Sequence, residues 1–329
     1  MGGNMDHGFE SLWERDVEGG RLWALVLAGG DGTRLAPICR ARYGYDRPKQ
    51  FCALVGPDSL LEQTIGRVAD AVPSERVVVS TTRKWAAEAA ECLHSLSDVR
   101  VTLQPRNAGT TAGLLASLLD IVAADPDAVV LVLPSDHHYS NDAGLLRPAW
   151  LAERLVSRHP GEVVLLGAPM RTVEPGLGWL VTRPTADGEA WERVEHFVEK
   201  PGPERAQALL DAGALANTMV MVARASELCR RIAKRAPHTW QGLTRAWGDP
   251  EAMEAAYASL PPSDVSRDLL APDPEQLRAL PLMDVSWSDL GVPERLGRVT
   301  ERVAYPGADP HAAGERSRTS EPPGPATAG

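Results

Sequence analysis

Over the first half of the chain, short apolar runs alternate with longer stretches of mixed polarity. Leu22–Ala28, Arg76–Ser80, Val99–Leu103, Ala128–Leu133 and Glu162–Gly167 read as strands. Most are apolar without a break, the pattern of a strand covered on both faces. Leu60–Ala71, Lys84–Leu96, Thr111–Ala124 and Gly144–Arg158 read as helices. Strand and helix in regular succession predict an α/β fold with a parallel sheet and right-handed crossovers. After Gly167 the rhythm changes. Trp179–Arg183 and Trp191–Val198 alternate in polarity around the turn-rich Pro184–Glu189, as added antiparallel edge strands or a substrate-covering lobe would. Asn217–Ala223 is a further strand, with helical segments to Leu260. Arg278–Val285 reads as a last strand and Pro293–Val303 as a last helix.

From Pro306 onward the residues are small, polar, charged or proline, which predicts a disordered tail over 306–329. The expected organisation is an N-terminal extension over 1–20, one catalytic-sized domain over 21–305, and that tail. No fixed-period repeat is evident. Little chain remains after Val303, so no appended β-helix or cupin-type domain is expected.

Composition narrows the partners. The chain has 329 residues, 43% hydrophobic and 24% charged, which supports a real core. Lys plus Arg number 34 against 44 Asp plus Glu, a net charge of −10. Such a field disfavours coating nucleic acid or an anionic membrane, so anions must be bound by local cations, backbone N–H groups or a metal. Four widely spaced cysteines without a CxxC pair suggest neither a zinc ribbon nor a disulfide framework. Residues 1–20 lack the apolar core of a signal peptide, and Asp6 breaks a myristoylation pattern. A cytoplasmic location is expected.

The first strand runs straight into Ala28-Gly29-Gly30-Asp31-Gly32-Thr33-Arg34-Leu35. Such a loop lets backbone close around phosphates, with successive N–H groups as a nest and Arg34 as a planar cation. A dinucleotide fingerprint fails at Leu35, and a Walker A loop would need Lys at Arg34. Three glycines alone fit a ligand-free tight turn equally well.

The longer pattern carries more. LAGGDGTRL is followed by Arg47-Pro48-Lys49-Gln50-Phe51, Gln104-Pro105-Arg106-Asn107 with Gly109-Thr110-Thr111-Ala112, Pro134-Ser135-Asp136-His137, Phe197-Val198-Glu199-Lys200-Pro201, Asn217, and Trp287-Ser288-Asp289-Leu290-Gly291. In this order the set resembles the sugar-1-phosphate nucleotidyltransferase family, most closely its mannose-1-phosphate guanylyltransferase branch. The resemblance runs from Leu22 to Val303. It implies a Rossmann-like, mostly parallel mixed sheet flanked by helices, with a small sugar-binding lobe and a cleft at the strand C-termini. It also implies attack of a sugar phosphate oxygen on the α-phosphorus of GTP, giving GDP-mannose and pyrophosphate. The attacking group is already ionised, so charge neutralisation and in-line placement are needed rather than a general base.

By the same resemblance, Asp136 and Asp289 hold Mg²⁺, Arg34 the β- and γ-phosphates, Lys49 the α-phosphate and Lys200 the sugar phosphate. Ala28, Gly29, Gly30, Gly32, Thr33, Gln104, Gly109 and Thr110 complete the nucleotide site. Gly178, Glu199 and Asn217 are assigned to the sugar. His137 and His138, adjacent and without ligand spacing, read as turn residues rather than metal ligands. The chain departs from the family pattern at Trp179, around Asn217 and at Val292, mainly in the sugar half. Cys39–Asp46 lengthens the loop between Arg34 and Lys49 and is expected to act as a lid that orders on nucleotide binding. Another nucleotide and sugar pair, an inactive sugar-nucleotide binder, and an unrelated α/β binding protein are the competing readings. A homodimer is one expected assembly.

Overall fold

The computed structural model describes residues 22–185 and 191–304. The extension over 1–20, the tail over 306–329 and most of the turn after Pro184 lie outside the described residues. The strands are β1 (Leu22–Leu27), β2 (Val77–Thr82), β3 (Arg100–Gln104), β4 (Val129–Pro134), β5 (His138–Tyr139), β6 (Val163–Pro169), β7 (Gly178–Pro184), β8 (Glu192–Glu199), β9 (Leu215–Arg224), β10 (Leu277–Pro281) and β11 (Trp287–Ser288). The helices are α1 (Ala36–Tyr43), α2 (Leu60–Val68), α3 (Ala86–Cys92), α4 (Thr110–Ala124), α5 (Ala143–Arg158), α6 (Pro203–Asp211), α7 (Ala225–Arg235), α8 (Pro237–Ala246), α9 (Pro250–Ser259) and α10 (Pro293–Ala304).

Nine strands form one sheet in the order β3-β2-β1-β4-β9-β6-β10-β8-β7. The continuous apolar runs have the expected cause. Leu22, Ala24 and Val26 of β1 enter the core on one face, while Trp23 and Leu25 enter the core on the other. β4 divides the same way, with Val129, Leu131 and Leu133 opposite Val130 and Val132. Helices α2, α3 and α5 cover the first face, and α4, α7, α8 and α9 the second. β1 pairs in parallel with β2 and β4, and β2 with β3, so their C-terminal ends open on one edge. β7 and β8 form the antiparallel edge. β9 runs antiparallel between β4 and β6 in the middle of the sheet, a placement its local pattern does not signal.

Other boundaries differ from expectation. α2 starts at the Ser59–Glu62 capping box but stops at Val68, short of Ala71. Lys84–Leu96 is a 3₁₀ turn followed by the seven-residue α3. The expected strand Arg278–Val285 ends at Pro281, the last residue paired with β6. The expected lid is not one loop: Cys39–Tyr43 belong to α1, Cys39 is buried against Leu35 and Cys52, and Arg40 pairs with Asp46 at 2.5 Å. Among the described residues no helix is long and apolar enough to cross a membrane.

Candidate active site

Ala28–Leu35 leaves the C-terminal end of β1 and is tied down from both sides. Ala28 N–H donates to Ser80 O on β2 (2.8 Å), and Ser135 N–H after β4 donates to Leu27 O (3.1 Å). Gln50 Nε2 donates to Ala28 O at 3.0 Å and Gly30 O at 2.7 Å, so a buried side chain fixes the loop's carbonyls. Gly32 is left-handed at φ 60°, and a Cβ there would lie 3.0 Å from Lys49 N. The glycine therefore brings the loop onto the Pro48–Lys49 backbone. Thr33 and Arg34 follow on the exposed side. Burial opposes ionisation of Asp31, but hydrogen bonds from Trp85 and Lys84 outweigh it and hold its carboxyl below the ordinary value.

Lys49 is almost fully buried, 9% exposed. Its Nζ donates to Asp289 O at 2.6 Å and Leu290 O at 3.3 Å, and lies 3.2 Å from Asp136 Oδ2. One ammonium thus bridges the two segments expected to hold a metal. The segments meet because β5 and β11 form a two-stranded antiparallel ribbon, with Trp287 opposite Tyr139 and Ser288 opposite His138. Asp136 lies two residues before His138, and Asp289 follows Ser288, so the pairing carries both carboxylates to the same end. Trp287 Nε1 donates to His137 Nδ1 at 3.3 Å, with the rings edge-on at 5.4 Å. Burial lowers the pKa of His137, and that of His138 falls to about 4. The His137 ring packs edge-on against Trp287 and also reaches the cavity described next.

Gly32, Thr33, Arg34, Leu35, Lys49, Asp136, His137, Asp289 and Gly291 line one cavity of about 280 Å³. Asp289 Oδ1 accepts from Gly291 N–H at 3.0 Å and lies 3.1 Å from Arg295 Nη1. Among the described residues no cluster of three or more His, Cys, Asp or Glu is placed to hold a metal. An ion here would take two carboxylates from the chain and its remaining ligands from phosphate oxygens and water. That all-oxygen, partly supplied set fits Mg²⁺.

The residues assigned to the sugar gather at the ends of β7, β8 and β9. Gly178 pairs with Glu199 across the β7–β8 ladder and packs beside Asn217. Glu199 Oε1 pairs with Lys200 Nζ at 2.9 Å, while its buried Oε2 has no hydrogen-bond partner. Asn217 is 5% exposed, and its Oδ1 accepts from Met219 N–H at 3.1 Å. The described non-glycine residues at positive φ are Lys200, Met219, Asp284 and Leu290. Three of them flank Glu199, Asn217 and Asp289, and strained backbone of this kind collects at functional sites.

Of the expected nucleotide residues, Gly32, Thr33, Arg34 and Lys49 line the cavity, while Ala28, Gly29, Gly30, Gln104, Gly109 and Thr110 do not. Gln104 is buried behind Gly29, donating to Ser80 Oγ at 3.2 Å and accepting from Tyr257 OH at 3.4 Å. Gly109 adopts φ 95°, where an added Cβ would fall 1.8 Å from Ser263 O. Thr110 Oγ1 accepts from Val265 N–H at 2.9 Å. Segment 263–265 therefore lies directly on the loop expected to complete the nucleotide site. Gln50 lies in the Arg47–Phe51 motif, but the sequence implies no role for it at the loop. Arg295 had no sequence signal.

Gln50→Ala strips the loop carbonyls of a buried donor, a cost of about 1–3 kcal/mol. The expected result is an approximately tenfold rise in the KM for nucleotide with a smaller change in kcat. An unchanged KM in steady-state kinetics would show that the loop holds its shape without Gln50.

The nucleotidyl transferase family profile matches residues 23–304. Alginate biosynthesis protein AlgA of Pseudomonas putida is 30% identical over 290 residues, covering 84% of this chain and 58% of that protein. A mannose-1-phosphate guanylyltransferase of Sinorhizobium fredii is 29% identical, covering 81% and 52%. The chain thus spans rather more than half the length of these relatives. A crystal structure from Thermus thermophilus, described as a mannose-1-phosphate geranyltransferase, superposes with a TM-score of 0.76 at 29% identity, covering 88% of this chain and 81% of that one.

Proposed function

Because this chain belongs to the nucleotidyl transferase family, we propose that it transfers a guanylyl group from GTP to mannose 1-phosphate, releasing pyrophosphate. The observation that carries the reading is the meeting of Asp136, Asp289, Lys49 and Arg34 around one cavity beside the glycine loop. The relatives described as mannose-1-phosphate guanylyltransferases support the choice of nucleotide and sugar.

Two anionic reactants repel each other, so the site must lower their charge before they can meet. Asp136 and Asp289 would hold a magnesium ion, whose role when bound is to neutralise phosphate charge. Backbone N–H groups of the glycine loop bind phosphate oxygens. Arg34, exposed beside that loop, balances the charge of the leaving pyrophosphate. Lys49 is held between Asp136 and the Asp289 carbonyl and presents a fixed cation to the α-phosphate. On the other side, Lys200 meets the sugar phosphate. The unpartnered Glu199 Oε2 accepts from a sugar hydroxyl, which satisfies a buried acceptor.

Pyrophosphate release measured over GTP, ATP, UTP, CTP and dTTP, each with mannose and glucose 1-phosphates, tests this. GTP with mannose 1-phosphate is expected to be the fastest pair. A different fastest pair would replace the substrates and keep the chemistry. Release with no pair would favour an inactive sugar-nucleotide binder.

A further inference from the structure

Arg295 stands in the first turn of α10, only 7% exposed. Its Nη1 lies 3.1 Å from Asp289 Oδ1 and 3.5 Å from Glu174 Oε2. One buried guanidinium is therefore shared by two carboxylates, Asp289 at the cavity and Glu174 in the segment before β7. Nε and Nη1 make no aligned hydrogen bond, so charge holds the group while donor capacity remains for a tighter arrangement. Arg298 Nη2 donates to the other oxygen of Glu174 at 2.8 Å.

Glu174 opens the loop that leads into β7. Its carbonyl accepts from Leu177 N–H at 3.3 Å and Trp179 Nε1 at 3.1 Å. Leu177 O in turn accepts from Lys200 N–H at 3.1 Å. A continuous path thus runs from Asp289 through Arg295, Glu174 and Leu177 to Lys200. A guanidinium between two carboxylates resists their separation, and a carboxylate gripped at one oxygen keeps a fixed orientation for the other.

We propose that Arg295 is a positioning residue that ties Asp289 to the Glu174–Leu177 loop, so that filling the sugar side strengthens cation binding on the nucleotide side. The inference rests on the assignment of Asp289 and Lys200 under Proposed function. Linkage makes the effect reciprocal: whatever factor sugar phosphate adds to cation affinity, the cation adds to sugar phosphate affinity.

The test uses Mn²⁺ as a paramagnetic probe, bound to the full-length protein with a GTP analogue carrying a methylene bridge between the α- and β-phosphorus. Mn²⁺ half-saturation is read by electron paramagnetic resonance with and without mannose 1-phosphate. In the wild type, the sugar phosphate is expected to tighten Mn²⁺ binding by about fivefold or more. Arg295→Met, which keeps the volume and loses the charge, is expected to weaken Mn²⁺ about tenfold without sugar phosphate and to bring the tightening ratio to about one. Glu174→Gln is expected to abolish the ratio while leaving Mn²⁺ binding without sugar phosphate within about twofold, because Asp289 keeps Arg295. A residue that only supports the fold would lower the melting temperature and leave the ratio intact. A ratio retained in both variants, or absent from the wild type, overturns the proposal. Turnover of the wild type across nucleotide and sugar pairs tests the functional reading separately. If no pair turns over, Mn²⁺ affinity in Arg295→Met within about twofold of wild type still overturns the Asp289 clamp.

Discussion

Lys49→Ala is expected to lower kcat about 10³-fold while the melting temperature falls only a few degrees. The ammonium is buried, fixed by two backbone carbonyls and by Asp136, and held at the wall of the cavity. Removing such a preorganised cation from a site where charge is redistributed costs about 3–4 kcal/mol of barrier, or 10²–10³ in rate. The stability loss is smaller, because the cavity lets water reach the freed carbonyls. Lys49→Arg separates charge from shape. A planar guanidinium cannot direct donors at Asp289 O, Leu290 O and Asp136 from one atom, so Arg is expected to preserve stability better than rate. Pyrophosphate release and thermal unfolding on the same preparations check both statements. Turnover within about threefold of wild type in Lys49→Ala would take the residue out of the chemistry.

The two carboxylates should behave alike and for a common reason. Asp289→Asn keeps an oxygen for the Gly291 N–H and nearly the same volume, yet removes the charge. Asp136→Asn does the same next to Lys49. A bound divalent cation supplies several kcal/mol of transition-state stabilisation, so each variant is expected to lose about 10³ in kcat/KM at limiting Mg²⁺. Excess Mg²⁺ should recover part of the loss. The double variant should be little worse than either single one, since under this proposal both carboxylates would serve one ion. Chelation of the wild type by EDTA is expected to abolish pyrophosphate release, and Mg²⁺ to restore it. Full activity in EDTA would remove the metal from the reaction. Additive losses in the double variant would show that Asp136 and Asp289 act separately.

Residues near the parallel strands were the legible ones. Gly32–Leu35 of the glycine loop, Lys49, Asp136 and Asp289 lie in short motifs, and the structure places these on one cavity. Less legible was what each side chain does there. Gln104 is expected in the nucleotide site, yet its amide is taken by Ser80 and Tyr257. Gly109 and Thr110 support segment 263–265, which lies far along the chain. Gln50 shared a motif with Lys49 but drew no role, because only the folded loop shows which carbonyls it meets.

Local apolar pattern was sufficient for β1 and β4, since residues buried on both faces must be apolar whatever packs against them. It also sufficed for α4 and α5, whose length and periodicity settle helix against strand. Pairings between distant segments left no comparable trace. β9 enters the middle of the sheet antiparallel, and two-residue strands bring Trp287 to Tyr139. Strands that short carry no periodicity, and their pairing depends on the rest of the core already being assembled. Arg295 is an extreme case: a helical arginine like many others in sequence, made a shared partner of Asp289 and Glu174 by the way α10 packs.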